Sequence, residues 1–140
     1  MFKHILLAYD GSSHARKAAE IAGELARKQG TPAMVRVVVA VEPISADLGE
    51  PNFGRVAAER SLQGQALLDE ARQLLGEKLD IHAELLFGSV ADEIVNVADV
   101  RQCDLIVMGS RGLSPLAELL LGSHAQKVIN RAHCPVLVVR

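Results

Sequence analysis

The sequence predicts a doubly wound α/β fold built around a parallel sheet. Three observations carry that reading. Short apolar runs alternate with segments of helical periodicity along the chain. The central runs, Val37 to Val41 and Leu105 to Met108, show no polar alternation, the pattern of strands buried on both faces by covering helices. The chain has 140 residues, 49% of them apolar, enough for one domain over residues 1–140 with a sizeable core.

The elements follow in order. Ile5 to Tyr9 is an apolar run ended by Asp10-Gly11 and reads as the first strand. Ser12 or Ser13 can cap the helix that follows, because a hydroxyl accepts from an otherwise unpaired backbone N–H. Ala15, Ala18, Ala19, Ala22, Leu25 and Ala26 give this helix its apolar stripe, and Gly30 is expected to stop it. Met34 to Val41 is the second strand. Pro43 to Gly54 holds two prolines and two glycines and reads as a long loop, either a lid or a disordered segment. A long helix is expected from Val56 to Lys78, a third strand from Ile81 to Phe87, and a third helix opened by a capping-box-like Ser89 and Asp92. Asp104 to Met108 is a fourth strand, a last helix starts near Ser123, and Val136 to Val139 is a fifth strand. Strand–helix alternation of this kind implies right-handed crossovers, with ligands beyond the carboxyl ends of the strands. The residues following Tyr9, Val41, Phe87 and Met108 are therefore the places to look for function.

Composition narrows the function classes. A formal net charge of −2 offers no basic excess for neutralising nucleic-acid phosphates. The apolar stretch after Lys3 is too short for a signal peptide, and no apolar run reaches the roughly 20 residues that span a bilayer. A cytoplasmic protein is expected. Cys103 and Cys134 form no CxxC pair and have no histidine at ligand spacing. Both precede strands, so they are expected near one end of the sheet, as two plain thiols or as a redox-sensitive pair.

The chemistry-bearing segment follows the fourth strand. Gly109-Ser110-Arg111-Gly112 is followed, after nine residues, by Gly122-Ser123, a G-x2-G-x9-G-S arrangement. Glycines let main-chain amides approach an anion closely, and a helix start adds unpaired N–H donors with partial positive charge. Ser123 has a second reading, since Ser123 and Gln126 match the S-x-x-Q capping box. Asp10, at the end of the first strand, suits a ribose hydroxyl or a phosphate-bound divalent ion; it equally suits a plain Asp-Gly turn.

Ile5-Leu6-Leu7-Ala8-Tyr9-Asp10-Gly11-Ser12, Asp104-Leu105-Ile106-Val107-Met108-Gly109-Ser110-Arg111-Gly112 and Cys134-Pro135-Val136-Leu137-Val138-Val139 together resemble the universal stress protein family, in the spacing of its ATP-binding branch. The resemblance covers nearly the whole chain. It implies a five-stranded parallel sheet of order 3-2-1-4-5 with helices on both faces, and ATP with Mg²⁺ across the strand ends. By position, Ala8, Tyr9 and Asp10 would line the adenosine, and Val41 would face adenine through its backbone. Met108, Gly109, Arg111 and Gly112 would border ribose and phosphates, while Gly122, Ser123, His124 and Ala125 would cradle the phosphates. Asp10 would reach a metal only through phosphate-bound Mg²⁺. The resemblance also implies a homodimer through Val136 to Val139, since a bare apolar edge strand calls for a partner.

This chain departs from the family pattern at three places. Ala125 stands where Ser or Thr is frequent, which removes a phosphate contact worth about 1 kcal/mol. His124 replaces a small apolar residue and faces either phosphate or solvent. Val90 replaces a frequent proline. No G-x-x-x-x-G-K-[ST] loop and no HxGH motif occur. The expectation is therefore a stress-response protein that binds ATP as a regulatory ligand, with at most slow hydrolysis. The alternatives are a dimeric interaction module without nucleotide, or a slow ATP hydrolase.

Overall fold

The computed structural model describes residues 1–41, 43–111 and 121–140. Its strands are β1 (His4–Ala8), β2 (Met34–Val41), β3 (Ile81–Phe87), β4 (Leu105–Gly109) and β5 (Val136–Val139). The helices are α1 (Ser13–Arg27), α2 (Asn52–Leu75), α3 (Val90–Val100) and α4 (Ser123–Arg131), with one 3₁₀ turn over Ala46–Leu48. All five strands are parallel, in the order β3-β2-β1-β4-β5. None of the described helices is long and apolar enough to cross a membrane.

The sheet is apolar on both faces, and each face has its own core. Ile5, Leu7, Val35, Val37 and Val107 meet the small-residue stripe of α1 together with Leu68, Ala71 and Leu75 of α2. Leu6, Val38, Ile106 and Met108 meet Ile94, Val97 and Ala98 of α3 and Val128 of α4. Each large aliphatic side chain removed from water in this way contributes about 1.5–3 kcal/mol. The alanines of α1 let that helix lie close on β1 and β4.

Helix boundaries differ from the sequence reading for local reasons. α1 stops at Arg27, short of Gly30, because the Ala26 carbonyl is taken by the Ala33 N–H at 3.1 Å. α2 begins at Asn52, inside the expected loop. Phe53 and Arg55 donate to the carbonyls of Gly49 and Pro51, a start too polar to show a stripe. It ends at Leu75 instead of Lys78 because Gly76 turns the chain with φ 89°. The expected capping box of α3 does not form: Ser89 makes no side-chain cap bond, and Asp92 pairs with Arg131 of α4. The same is true of α4, whose N-cap is Gly122, with Ser123 already the first helical residue.

Candidate functional site

The carboxyl ends of β1, β2 and β4 open into one cavity of about 640 Å³, within the roughly 300–1,000 Å³ usual for small-ligand sites. On the β1 side it is lined by Ala8, Tyr9 and Asp10 and on the β2 side by Val38 to Val41. Met108, Gly109, Ser110 and Arg111 come from the end of β4, and Gly122, Ser123, His124 and Ala125 from the start of α4. Every described residue that the sequence singled out for the site lines this one space. Gly112 lies outside the described residues.

Asp10 sits just beyond β1. Its Oδ1 accepts from the Ser12 N–H at 2.9 Å, so the Asp-Gly turn is real; one carboxylate oxygen remains for other work. Ser12 caps α1, its Oγ accepting from the Ala15 N–H at 3.2 Å while donating to the Arg111 carbonyl at 3.4 Å. The sequence did not single out Ser110 as a ligand residue, yet it organises the end of the cavity next to α4. It is 1% exposed. Its N–H donates to the Val139 carbonyl at 2.7 Å, its carbonyl accepts from the Gly122 N–H at 2.6 Å, and its hydroxyl meets His14 Nδ1 at 2.8 Å. Gly122 is thereby drawn against the end of β4, although eleven residues separate it from Ser110.

Gly109 is required by close approach. A Cβ there would stand 2.9 Å from both the Ala15 nitrogen and His14 Cβ. Among the described residues no side chain caps α4, so its first-turn amides, at Ser123, His124 and Ala125, have no side-chain partner there and carry the helix's partial positive charge. Ala125 is 2% exposed and also belongs to the core, while His124 is exposed at the cavity mouth.

Tyr9 forms wall rather than ligand contact through its hydroxyl. That group donates to Glu70 of α2, which also pairs with Arg16 Nε at 3.1 Å. Burial, together with that hydrogen bond, raises the Tyr9 pKa well above the usual phenol value. No group of three or more His, Cys, Asp or Glu among the described residues is arranged to hold a metal. Cys103 and Cys134 are free thiols packed with the α3 face, away from the cavity lining. Burial pushes the Cys103 thiol up to about 11 and raises Cys134 as well, which disfavours the reactive thiolate.

The sequence reading missed one wall completely. Arg60, Gln63, Gly64 and Leu67 of α2 also line the cavity. Their spacing of three and four residues was visible, but only the fold sets that stripe beside the end of β2.

The chain matches the universal stress protein family over residues 1–140. It belongs to that family. It is 46% identical over 140 residues to a universal stress protein of Thermus aquaticus, covering all of both chains. It is 36% identical over 141 residues to a universal stress protein of Methanocaldococcus jannaschii, covering 100% of this chain and 83% of that one. A universal stress protein solved in complex with cAMP superposes with a TM-score of 0.76 at 28% identity, over 99% of this chain and 97% of the other. The strand order found here is thus that of a universal stress protein sheet, and the cavity lies at its strand ends.

Proposed function

We propose that this universal stress protein binds an adenine nucleotide, ATP with its Mg²⁺ by expectation, as a regulatory ligand in a cytoplasmic stress response. One observation carries the reading. Asp10, the Gly109–Arg111 turn and the uncapped start of α4, far apart in sequence, converge on a single cavity. The relative solved with cAMP supports the adenine nucleotide class.

In this reading Asp10 accepts from ribose hydroxyls with its remaining oxygen. The heterocycle lies against Ala8 and the end of β2, with Val41 meeting it through main-chain groups. Phosphates meet the α4 amides and Ser123, whose hydroxyl is not spent on capping. Arg111 adds positive charge, and His124 stands among the same lining residues. Mg²⁺ would be held mainly by the nucleotide, with Asp10 as the nearest carboxylate among the lining residues. The sequence has no P-loop lysine to clamp a transferring phosphoryl group, so the nucleotide acts as a ligand that stabilises one conformation or assembly, with at most slow hydrolysis. The assembly is a homodimer through β5, an edge strand whose Leu137 is 37% exposed.

The test is direct. Purified protein is denatured and the released small molecules are identified by mass spectrometry; the emptied protein is then titrated with ATP, AMP and cAMP, with and without Mg²⁺, by calorimetry. An adenine nucleotide near equimolar, or saturable binding on titration, is the expected result. Asp10→Ala is expected to weaken binding at least about tenfold, the loss of a hydrogen bond to a charged group. No release and no binding of any adenine nucleotide would leave the interaction-module reading standing in its place.

A further inference from the structure

We propose that Gln63 of α2 reads the N6/N7 edge of the bound base and so sets selectivity for a 6-amino purine; this rests on the nucleotide reading above. The cavity has two polar poles. At one stand Arg111, Ser123 and His124 beside α4. At the other stand Arg60 and Gln63 of α2, which packs over β2 and β3, on the far side of the sheet order from α4 and β5. The floor between them, from Val38 to Val41 with Met108, is largely apolar. A nucleotide has the same division: charged phosphates, a flat heterocycle, and a polar edge at its far end. With phosphates on the α4 amides, the base crosses the apolar floor and its edge meets α2.

Gln63 suits that edge. Its amide offers donors and an acceptor together, and it makes no hydrogen bond to another described residue. Arg60, one turn earlier, is donor-only and gives an N–H to the Pro43 carbonyl at 3.2 Å. Gly64 brings this turn of α2 inward, since a Cβ there would lie 2.6 Å from Leu85 Cδ2 of β3. Adenine presents an N6 amino donor beside the N7 acceptor, which a glutamine amide satisfies with two hydrogen bonds. A 6-oxo purine presents two acceptors on that edge, so the glutamine carbonyl is left unpaired.

Affinities for ATP, ITP and inorganic triphosphate are measured on the wild-type protein and on Gln63→Leu and Gln63→Glu. The wild type is expected to favour ATP over ITP. Gln63→Leu should shrink that ratio about three- to tenfold, one neutral hydrogen bond's share, mostly by weakening ATP. Gln63→Glu keeps the acceptor for N6 and should fall between. Triphosphate affinity should not change in either variant. An ATP-to-ITP ratio unchanged within twofold in Gln63→Leu overturns the assignment, as does an equal loss of triphosphate binding. A wild type that binds no nucleotide overturns the proposed function itself, and the base-reading role with it.

Discussion

Gly109 and Ser123 were both singled out from sequence for an anion site, and the fold treats them differently. Glycine at 109 was read as main chain laid open to a phosphate. In the structure the missing Cβ first serves packing, because the turn of α1 at His14 and Ala15 occupies that space. Gly109→Ala is expected to cost about 1–3 kcal/mol through overpacking against main chain and to weaken nucleotide binding by moving Ser110. Urea denaturation with an unchanged slope, alongside nucleotide titration, checks both. Ser123 had two readings that sequence alone could not separate. The residue that takes the extended cap conformation is Gly122, with φ −68° and ψ 158°, and that one-residue offset leaves the serine hydroxyl for a ligand. Which residue caps a helix depends on where the preceding chain is pinned, here by the Gly122–Ser110 bond, and no residue pattern encodes that.

Strands were legible almost to the residue because they are short, continuous and apolar; β2, β3 and β5 match their expected spans. Helix ends were less so, since they turn on single carbonyls claimed by distant amides, as at Ala26. Among the described strand residues, one that is buried breaks the apolar rule. Arg36 lies in the middle of β2 at 8% exposure. It pairs with Glu84 of β3, which also meets Arg101 Nε at 3.3 Å, and its Nε–H points at His4 Nε2 of β1, 3.4 Å away. Parallel pairing of His4 with Met34, and of Arg36 with His82, sets these groups side by side. His4 therefore works as a neutral acceptor, and burial and the Arg36 charge lower its pKa below the ordinary 6.5, outweighing the opposite pulls of a hydrogen bond to the Arg101 main chain and of the Asp104 charge. The sign follows from linkage. Above 6.5 both folded and unfolded chains carry a neutral His4; as pH falls below it the unfolded chain takes the proton first, so stability declines until the lower folded pKa is passed. Denaturation midpoints should drop between pH 7 and pH 5, and His4→Gln should flatten that part of the profile. A wild-type slope that survives His4→Gln unchanged would assign the effect to other groups.

The five strands leave β5 at one edge of the sheet, with Leu137 exposed and Val139 buried. Such an edge invites pairing with a second copy. Leu137→Lys should convert the proposed homodimer to monomer, read as a halved mass by light scattering or sedimentation, with the fold kept because the position faces outward. A wild type that sediments as a monomer would remove the edge-pairing reading. Strand burial and helix periodicity, local properties of the chain, carried the α/β class and the strands; glycine chemistry pointed to Gly109 and Gly122-Ser123, and the family resemblance supplied most of the other described residues that line the cavity. The amino-acid order did not settle that Ser110 ties β4 to the start of α4, that Tyr9 gives its hydroxyl to Glu70, or that α2 adds a wall to the cavity with Arg60 and Gln63. Those depend on packing between segments from a dozen to nearly a hundred residues apart, and that packing is fixed only when both apolar faces of the sheet are covered at once.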